Sequence, residues 1–232
     1  MPRQLAFDLP VRTSRERGDF FIADSNAVAL AAVERWRDWP SRKMVLTGPE
    51  GSGKSHLVEV WVTLAEAEIV TARSLTEDIV APLAGRNVAV EDADRIAGDA
   101  DAETALFHLH NLVLAEGGAL LVTSRLAPSR WGLDLPDLAS RMEATTAIAL
   151  ETPDEDLMSA VLVKLFDDRQ IAVTPPLVAY LAPRLPRSLA AAQDFVARLD
   201  REALAEGKPV GRRLAARLLD SPLLDKDGTG TA

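Results

Sequence analysis

Short apolar runs alternate with helical segments over the first two thirds of the chain. Five of these runs are too short for helices and are mostly apolar on both faces, as strands of a buried parallel sheet are. Stretches with helical periodicity, such as residues 103–116, lie between them. Because this alternation is typical of a parallel sheet covered by helices, the pattern predicts an α/β fold. The five predicted strands are residues 43–47, 68–72, 87–91, 119–123 and 146–150.

The pattern changes after the fifth predicted strand. Either Thr152 or Asp154 is suited to cap a helix, because both side chains carry an oxygen that accepts a hydrogen bond from the first helical turn. From there to Leu219 only helical periodicity is found. The helices are expected at residues 154–168, 175–181, 187–204 and 209–219, and the third carries an apolar stripe of Leu189, Ala192, Val196 and Leu199.

These patterns divide the chain into four parts. An extended N-terminal arm (residues 1–20) precedes an α/β domain (residues 21–151), and an all-helical domain follows (residues 152–220). The chain ends with DKDGTGTA, and we expect residues 221–232 to form a disordered tail.

The overall composition is that of an ordinary folded protein. Of the 232 residues, 47% are hydrophobic and 26% are charged, which suits one large domain or one domain with a smaller companion. The net charge of −9 repels a DNA backbone unless basic residues cluster on one face. General DNA binding is therefore disfavoured.

The composition also bears on the cellular compartment. The absence of cysteine excludes disulfides and thiolate metal sites, and it fits a reducing compartment. The chain begins without the apolar run of a secretory signal, and no apolar run approaches the roughly 20 residues that cross a bilayer. We therefore expect a cytoplasmic protein.

The segment LTGPEGSGKSHL matches the phosphate-loop pattern GxxxxGK[ST]. Gly48, Gly53, Lys54 and Ser55 stand directly after a predicted strand and before a helical segment, a context that argues against an accidental glycine-rich turn. Glycines let backbone N–H groups curl around phosphates, the lysine reaches the outer phosphates, and the serine hydroxyl can bind Mg²⁺. The sequence therefore predicts a nucleotide-binding loop made of Gly48, Pro49, Glu50, Gly51, Ser52, Gly53, Lys54, Ser55 and His56.

Glu91 and Asp92 end the third predicted strand, where a phosphate loop needs an acidic partner for its metal ion. We expect Glu91 to bind Mg²⁺ with Ser55, and Asp92 to take the catalytic position. The usual order is Asp before Glu. The reversed order would displace both the metal-bound water and the attacking water, and a misplacement of about 1 Å can cost about 10²-fold in rate. This predicts a nucleotide binder with weak or no hydrolysis of its own. The alternative is that two acids merely cap an exposed strand end.

Three segments, taken in order, resemble the AAA+ module of the DnaA replication initiator family: FFIADSNAVALAAVERW, GSGKSHL and NVAVEDADRIAGD. The resemblance is closer to the Hda-type regulators of this family, short relatives that inactivate the initiator. It extends over residues 4–219. It implies an AAA+ P-loop NTPase core, with a five-stranded parallel sheet between helices, and a small all-α lid domain.

The resemblance implies further functional residues after the loop. In LLVTSR it places a polar sensor for the γ-phosphate at Thr123 and Ser124, where the alternative is an ordinary strand end. In LPDLASRME it places an arginine finger, which acts on the nucleotide of a neighbouring subunit, at Arg141. Without the resemblance, Arg141 would be interpreted as a solvated helix residue.

Two more parts of the nucleotide site follow from the same resemblance. In LPRSLAAAQDF the nucleotide-contacting arginine of the lid is placed at Arg187, where the alternative is a helix-terminal arginine without a ligand. The segment around Phe21, Ile22 and Asn26 is expected to line the adenine pocket, although apolar residues there could equally be plain core.

The N-terminal segment QLAFDL resembles the short peptides by which replication proteins bind the DNA sliding clamp. Leu5, Phe7 and Leu9 would enter an apolar pocket, and Gln4 would supply a directional hydrogen bond. Asp8 interrupts the apolar end of the peptide, which lowers the expected affinity. The alternative is an N-terminal arm that folds onto its own domain.

Other features point away from metal and direct DNA binding. His108 and His110 are two residues apart on a predicted helix and face different sides, which argues against one metal ion bound by both. The arginines near the C-terminus are interspersed with acidic residues, as on a solvated face. The initiator family continues into a helix-turn-helix domain, and we expect no such duplex readout from the segment after residue 219.

The resemblance implies a negative regulator of DNA replication initiation. Bound to the DNA-loaded sliding clamp, the β subunit of DNA polymerase III, the protein would use Arg141 to stimulate hydrolysis of ATP on DnaA. Its own nucleotide, ADP in preference to ATP, would set the shape of the interface. Self-association is left open. The alternatives are a helicase-loader-like or remodelling ATPase, a clamp-bound adaptor with a vestigial nucleotide site, and a small-molecule kinase, for which no acceptor-binding segment is found.

Overall fold

The computed structural model describes residues 23–220, apart from the side chain of Asp24. Five parallel strands form one sheet in the order β2-β3-β4-β1-β5, which confirms the predicted five-stranded parallel sheet. The ends of the strands lie within one residue of the predicted ones. The strands are β1 (Lys43–Thr47), β2 (Glu68–Thr71), β3 (Val88–Glu91), β4 (Leu120–Ser124) and β5 (Ala147–Ala149).

Helices cover both faces of this sheet. Side chains of successive strand residues point to opposite faces, so on β3 Ala89 packs towards one layer of helices while Val88 and Val90 pack towards the other. Trp61 is fully buried in the first layer and stacks on Trp39 with 5.4 Å between the ring centroids. The first layer contains α1 (Asp24–Glu34) and α2 (Lys54–Ala65), and the second contains α3 (Glu77–Val80), α4 (Ala100–Ala115) and α5 (Pro136–Glu143).

The two edge strands are less covered than the sequence pattern indicates. The central strands β1, β3 and β4 are almost wholly buried, whereas β2 alternates between half-buried and exposed positions. Ile69 on β2 is 43% exposed. An edge strand has a neighbour on one side only, so apolar composition alone does not distinguish it from a central strand.

The chain after β5 forms a helical unit with its own cluster of buried side chains. Asp154, not Thr152, caps the first helix, because its Oδ1 accepts a hydrogen bond of 2.7 Å from the N–H of Leu157. Ala192, Val196 and Leu199 of the predicted apolar stripe are buried. The helices are α6 (Glu155–Asp167), α7 (Pro175–Leu181), α8 (Leu189–Glu206) and α9 (Arg212–Asp220).

Several predictions concern residues outside this description. The proposed clamp-binding residues Gln4, Leu5, Phe7 and Leu9 lie there, as do Phe21, Ile22 and the tail 221–232. The domain boundaries drawn from the sequence therefore stay predictions. Among residues 23–220, no helix is long and apolar enough to cross a membrane.

His110 on α4 is buried beside the start of β1. Its Nε2 is 3.1 Å from the Nζ of Lys43, and its Nδ1 is 3.3 Å from Oδ1 of Asn111. Burial, followed by the positive charge of Lys43, lowers the pKa of His110 to about 4. The side chain is therefore neutral in the folded protein at neutral pH, with Nε2 accepting from the ammonium and Nδ1–H donating to Asn111.

The depressed pKa of His110 predicts a loss of stability in mild acid. As pH falls through the unfolded value of 6.5 towards 4, the unfolded chain binds a proton that the folded chain does not. We expect this to remove about 2 kcal/mol of unfolding free energy between about pH 7 and pH 5. Urea denaturation should show a smaller acid loss for His110→Gln. His108→Gln, a change at an exposed histidine of the same helix, should keep the full loss.

Candidate nucleotide-binding site

The loop after β1 leads into α2 at the rim of a cavity of about 620 Å³. Gly53 ends the loop with φ of 100°, a conformation that favours glycine, and α2 starts at Lys54. The first N–H groups of a helix have no partner within it and lie at the positive end of the helix dipole. Gly53, Lys54, Ser55 and His56 all line the cavity, so this end of α2 faces the space where an anion could bind.

The ammonium of Lys54 is held within the loop. Its Nζ donates to the carbonyl oxygens of Gly48 at 2.7 Å and Pro49 at 2.8 Å. Burial is the main cause that lowers the pKa of Lys54, and the positive charge of Arg125 acts in the same direction. Opposing contributions come from the carboxylates of Asp92, Asp94 and Glu50. The lysine therefore lies within the electrostatic reach of both acidic and basic groups of the cavity.

The predicted acidic pair separates at the end of β3. Asp92 lines the cavity and has φ of 57°, and its N–H donates to Oγ1 of the buried Thr123 at 3.1 Å. Thr123, the predicted sensor residue on β4, also lines the cavity. Glu91, the predicted metal ligand, is half-buried and does not line it. The structure thus brings Asp92 and Thr123 to the phosphate loop, but not Glu91.

Two arginines that sequence reasoning missed also line the cavity. Nε of Arg95 is 3.2 Å from Oδ2 of Asp92, and Nε of Arg125 is 3.0 Å from Oδ2 of Asp94. The side chain of Asp94 is only 1% exposed, and its Oδ1 also accepts from the N–H of Arg125 at 3.2 Å. All four residues follow the carboxyl ends of β3 and β4. Since ligands of open α/β sheets bind at that edge, charged residues just after these strands are the signal that could have found them.

The helical unit closes the opposite side of the cavity. Leu189, at the start of α8, donates its N–H to the carbonyl oxygen of Gly51 at 2.9 Å. Ser188 caps the same helix by accepting a bond of 3.2 Å from Ala191. Gln193 on α8 and Lys164 on α6 also line the cavity. A ligand here would therefore touch both the phosphate loop and the helical unit.

Two more predicted residues lie at the cavity. Asn26 is buried and lines it, and its Oδ1 accepts from the N–H of Ala23 at 3.0 Å, which ties it to the start of α1. His56 lies one turn from Glu59, with 3.6 Å between Nδ1 and Oε2. The adenine-binding role of Asn26 stays a prediction, since Phe21 and Ile22 fall outside the described residues.

The two predicted functional arginines do not line this cavity. Arg187 is exposed in the turn before α8. Arg141 is exposed on α5, with its guanidinium carbon 5.0 Å from the centre of the Phe107 ring. Its carbonyl oxygen accepts from Nζ of Lys43 at 3.2 Å. Lys43 begins β1, whereas the phosphate loop follows the other end of this strand, about 13 Å away. The backbone of Arg141 therefore lies near the amino end of β1, and the phosphate loop lies at its carboxyl end.

The cavity lining fits a nucleotide polyphosphate better than it fits Mg²⁺. Lys54, Arg95 and Arg125 face the same space as the first turn of α2. Gly51, which precedes this turn in the phosphate loop, lines the cavity as well. For the metal, Ser55 is in place, but of the two acids predicted as its partners only Asp92 lines the cavity, and it is paired with the guanidinium of Arg95. The other lining carboxylates are Glu50 in the loop, Glu59 beside His56, and Asp168, which is paired with Lys164.

Comparison with known proteins identifies the fold. No protein-family model matches the chain. Domain III of the Thermotoga maritima replication initiation protein DnaA superposes with a TM-score of 0.76 and 19% identity, over 86% of this chain and 92% of that chain. DnaA from Aquifex aeolicus bound to AMPPCP gives a TM-score of 0.64 and 15% identity over 81% and 68% of the two chains. The FIGL-1 AAA domain in complex with ADP gives a TM-score of 0.60 and 13% identity, over 87% of this chain and 81% of that chain. The chain has the AAA+ P-loop NTPase fold, as domain III of DnaA does.

Proposed function

We propose that the chain is an Hda-type negative regulator of replication initiation, which binds ADP or ATP and stimulates hydrolysis of the ATP held by DnaA. The observation that carries this proposal is the position of Arg141. Its guanidinium is exposed, and its backbone lies towards the sheet edge opposite the phosphate loop of its own chain. An arginine so placed is suited to act on the nucleotide of a neighbouring molecule, which supports the proposal.

In the proposed complex, Arg141 completes the ATP site of DnaA. Its guanidinium would donate hydrogen bonds to the oxygens of the γ-phosphoryl group while water attacks phosphorus and the bond to the β-phosphate oxygen breaks. The Phe107 ring beside the guanidinium would limit its rotamers before docking. DnaA is left with ADP, the inactive form, and the regulator is released unchanged.

The chain's own nucleotide would serve mainly to hold the two parts of the molecule together. A ligand in the cavity contacts the phosphate loop together with α6 and α8, so binding would fix the helical unit against the sheet. Weak hydrolysis is expected, because the Asp92 carboxylate that would orient an attacking water is paired with Arg95. This supports a nucleotide that acts as a structural ligand, for which ADP suffices.

We further propose that Gln4, Leu5, Phe7 and Leu9 bind the sliding clamp. A short peptide of this kind binds weakly by itself, but the clamp offers more than one pocket and is held on DNA. Tethering would raise the local concentration of the regulator near DnaA without a basic face on the protein. The net charge of −9 is compatible with DNA recruitment by this indirect route.

The double variant Leu5→Ala with Phe7→Ala should lose binding to the sliding clamp and keep its ability to stimulate ATP hydrolysis on DnaA. The measurement is single-turnover hydrolysis of ATP pre-bound to DnaA, with clamp-loaded DNA present, as the regulator concentration is varied. We expect the variant to need about 10²-fold more protein for the same acceleration, since loss of an effective-concentration gain has that size. Without the clamp, variant and original should be equal.

A matched control exchanges two exposed apolar residues elsewhere, Val163→Ala with Leu204→Ala. This control should behave as the original protein does. Failure of the intact protein to accelerate hydrolysis at any concentration would overturn the regulator proposal. Release of phosphate from its own ATP would then favour a remodelling ATPase, and clamp binding without either activity would favour an adaptor.

A further inference from the structure

Two salt bridges at the carboxyl ends of β3 and β4 hold guanidinium groups that line the cavity. Arg95 pairs with Asp92, and Arg125 pairs with the buried Asp94. Both pairs come from segments directly after neighbouring strands, β3 and β4. Asp92, Arg95 and Arg125 therefore line the cavity after these strands, and the buried Asp94 binds Arg125 without lining it.

The Asp94 carboxylate is buried, whereas the guanidinium groups of Arg95 and Arg125 are partly exposed. The Asp94 side chain is 1% exposed and binds Arg125 twice, through the backbone N–H and through Nε. The Arg125 side chain remains 44% exposed and that of Arg95 34%, and both line the cavity. A guanidinium carries five N–H donors, and in both salt bridges Nε is the nitrogen that contacts the carboxylate. Within the described part of the chain the terminal nitrogens of Arg95 and Arg125 have no hydrogen-bond partner, so their donors are available to a ligand in the cavity.

The residues after β3 and β4 that line the cavity suit Mg²⁺ poorly. The ion demands oxygen ligands in nearly octahedral geometry and is usually held through carboxylates and phosphates. Of the predicted acidic ligands, Glu91 does not line the cavity and Asp92 is paired with Arg95. A guanidinium offers a divalent cation no ligand atom, whereas its N–H groups can donate to the oxygens of a polyphosphate.

We propose that Arg95 and Arg125 take the place of the metal ion in this cavity, so that the polyphosphate of a nucleotide binds without Mg²⁺. The inference rests on nucleotide binding at this site, which is part of the proposed function. Lys54 would contact the outer phosphate from the loop, and the two arginines would contact it from the ends of β3 and β4. Arginine suits this role because its planar fork matches two phosphate oxygens at once.

The test measures ADP affinity of the full-length protein by titration calorimetry, once with excess Mg²⁺ and once with EDTA. We expect the two dissociation constants to agree within about threefold, whereas a metal-dependent site would lose about tenfold or more without the ion. Lys54→Met should abolish binding in both buffers. Arg130→Gln, a change at an exposed arginine outside the cavity lining, should bind as the original does.

Removal of one arginine tests the assignment directly. Because Arg125→Gln alone would leave Asp94 buried without its partner, the variant is the double change Asp94→Asn with Arg125→Gln. We expect about tenfold to a hundredfold weaker ADP binding in EDTA, the size of one lost charge-assisted contact. Arg125→Lys should recover part of the affinity. Circular dichroism and thermal melting should confirm that each variant is folded.

The outcomes separate this inference from the proposed function. Binding of ADP only in the presence of Mg²⁺ would overturn the inference and leave nucleotide binding in place. Unchanged affinity of the Asp94→Asn, Arg125→Gln protein in EDTA would also overturn it for Arg125. Absence of ADP and ATP binding in both buffers would instead overturn the nucleotide site itself.

Discussion

Arg141→Ala is expected to abolish the acceleration of ATP hydrolysis on DnaA, a loss of about 10³-fold to 10⁵-fold in the stimulated rate. The effect is large because the guanidinium would stabilise charge that develops only in the transition state. Nucleotide binding should not change, since Arg141 does not line the cavity of its own chain. The measurements are single-turnover hydrolysis on DnaA and ADP titration of the variant.

Two controls distinguish a finger from a structural residue. Arg141→Lys keeps a positive charge on α5 but loses the bidentate geometry, so most of the acceleration should still be lost. Arg213→Ala removes an exposed arginine from α9 and should have no effect. Stimulation that persists in Arg141→Ala, at equal clamp binding and equal melting temperature, would contradict the assignment of the finger.

The fold was predictable because its signals are local. Each strand of the sheet is a short apolar run, and the phosphate loop is marked by glycines and a lysine within one continuous segment. Helix caps such as Asp154 act on residues three positions away. Such features depend on neighbours in sequence, and for this reason the strand ends are confirmed within one residue.

The pairing of Asp94 with Arg125 was not predictable in the same way. Asp94 and Arg125 are separated by 31 positions, and only the adjacency of β3 and β4 in the sheet brings them together. The pattern of single residues gives Asp94 no special role, since it reads as one of several acids after a strand. Strand order is a tertiary property, so partners across it are visible only when the sheet is assembled.

Contact between the phosphate loop and the lid was also missed. Leu189 and Gly51 are far apart in the chain, yet their backbones share a hydrogen bond of 2.9 Å. A glycine at position 51 is expected in the turn of the phosphate loop, but the sequence does not show which residues of the helical unit pack against it. In the folded chain a second constraint is added, because Ser188 packs directly against the position where a side chain would begin.

Gly51→Ala is therefore expected to disrupt nucleotide binding more than an ordinary glycine substitution does. Gly51 has φ of 74°, and an alanine there costs about 1–2 kcal/mol in backbone strain. Its Cβ would also lie 1.9 Å from Oγ and 2.7 Å from Cβ of Ser188, so the loop or the start of α8 must move. We expect ADP affinity to fall by more than about tenfold, as measured by calorimetric titration.

Gly117→Ala is the matched control, because Gly117 also has positive φ, 90°, but no atom of residues 23–220 lies within 4 Å of an added Cβ. It should lose stability through strain while keeping ADP affinity. Adding Ser188→Gly to Gly51→Ala removes the atoms nearest the new methyl group at a capping cost of only about a few tenths of a kcal/mol. Partial recovery of affinity would place the defect at the contact between loop and lid. Equal affinity of the Gly51→Ala and Gly117→Ala proteins would instead mean that nucleotide binding does not require this contact.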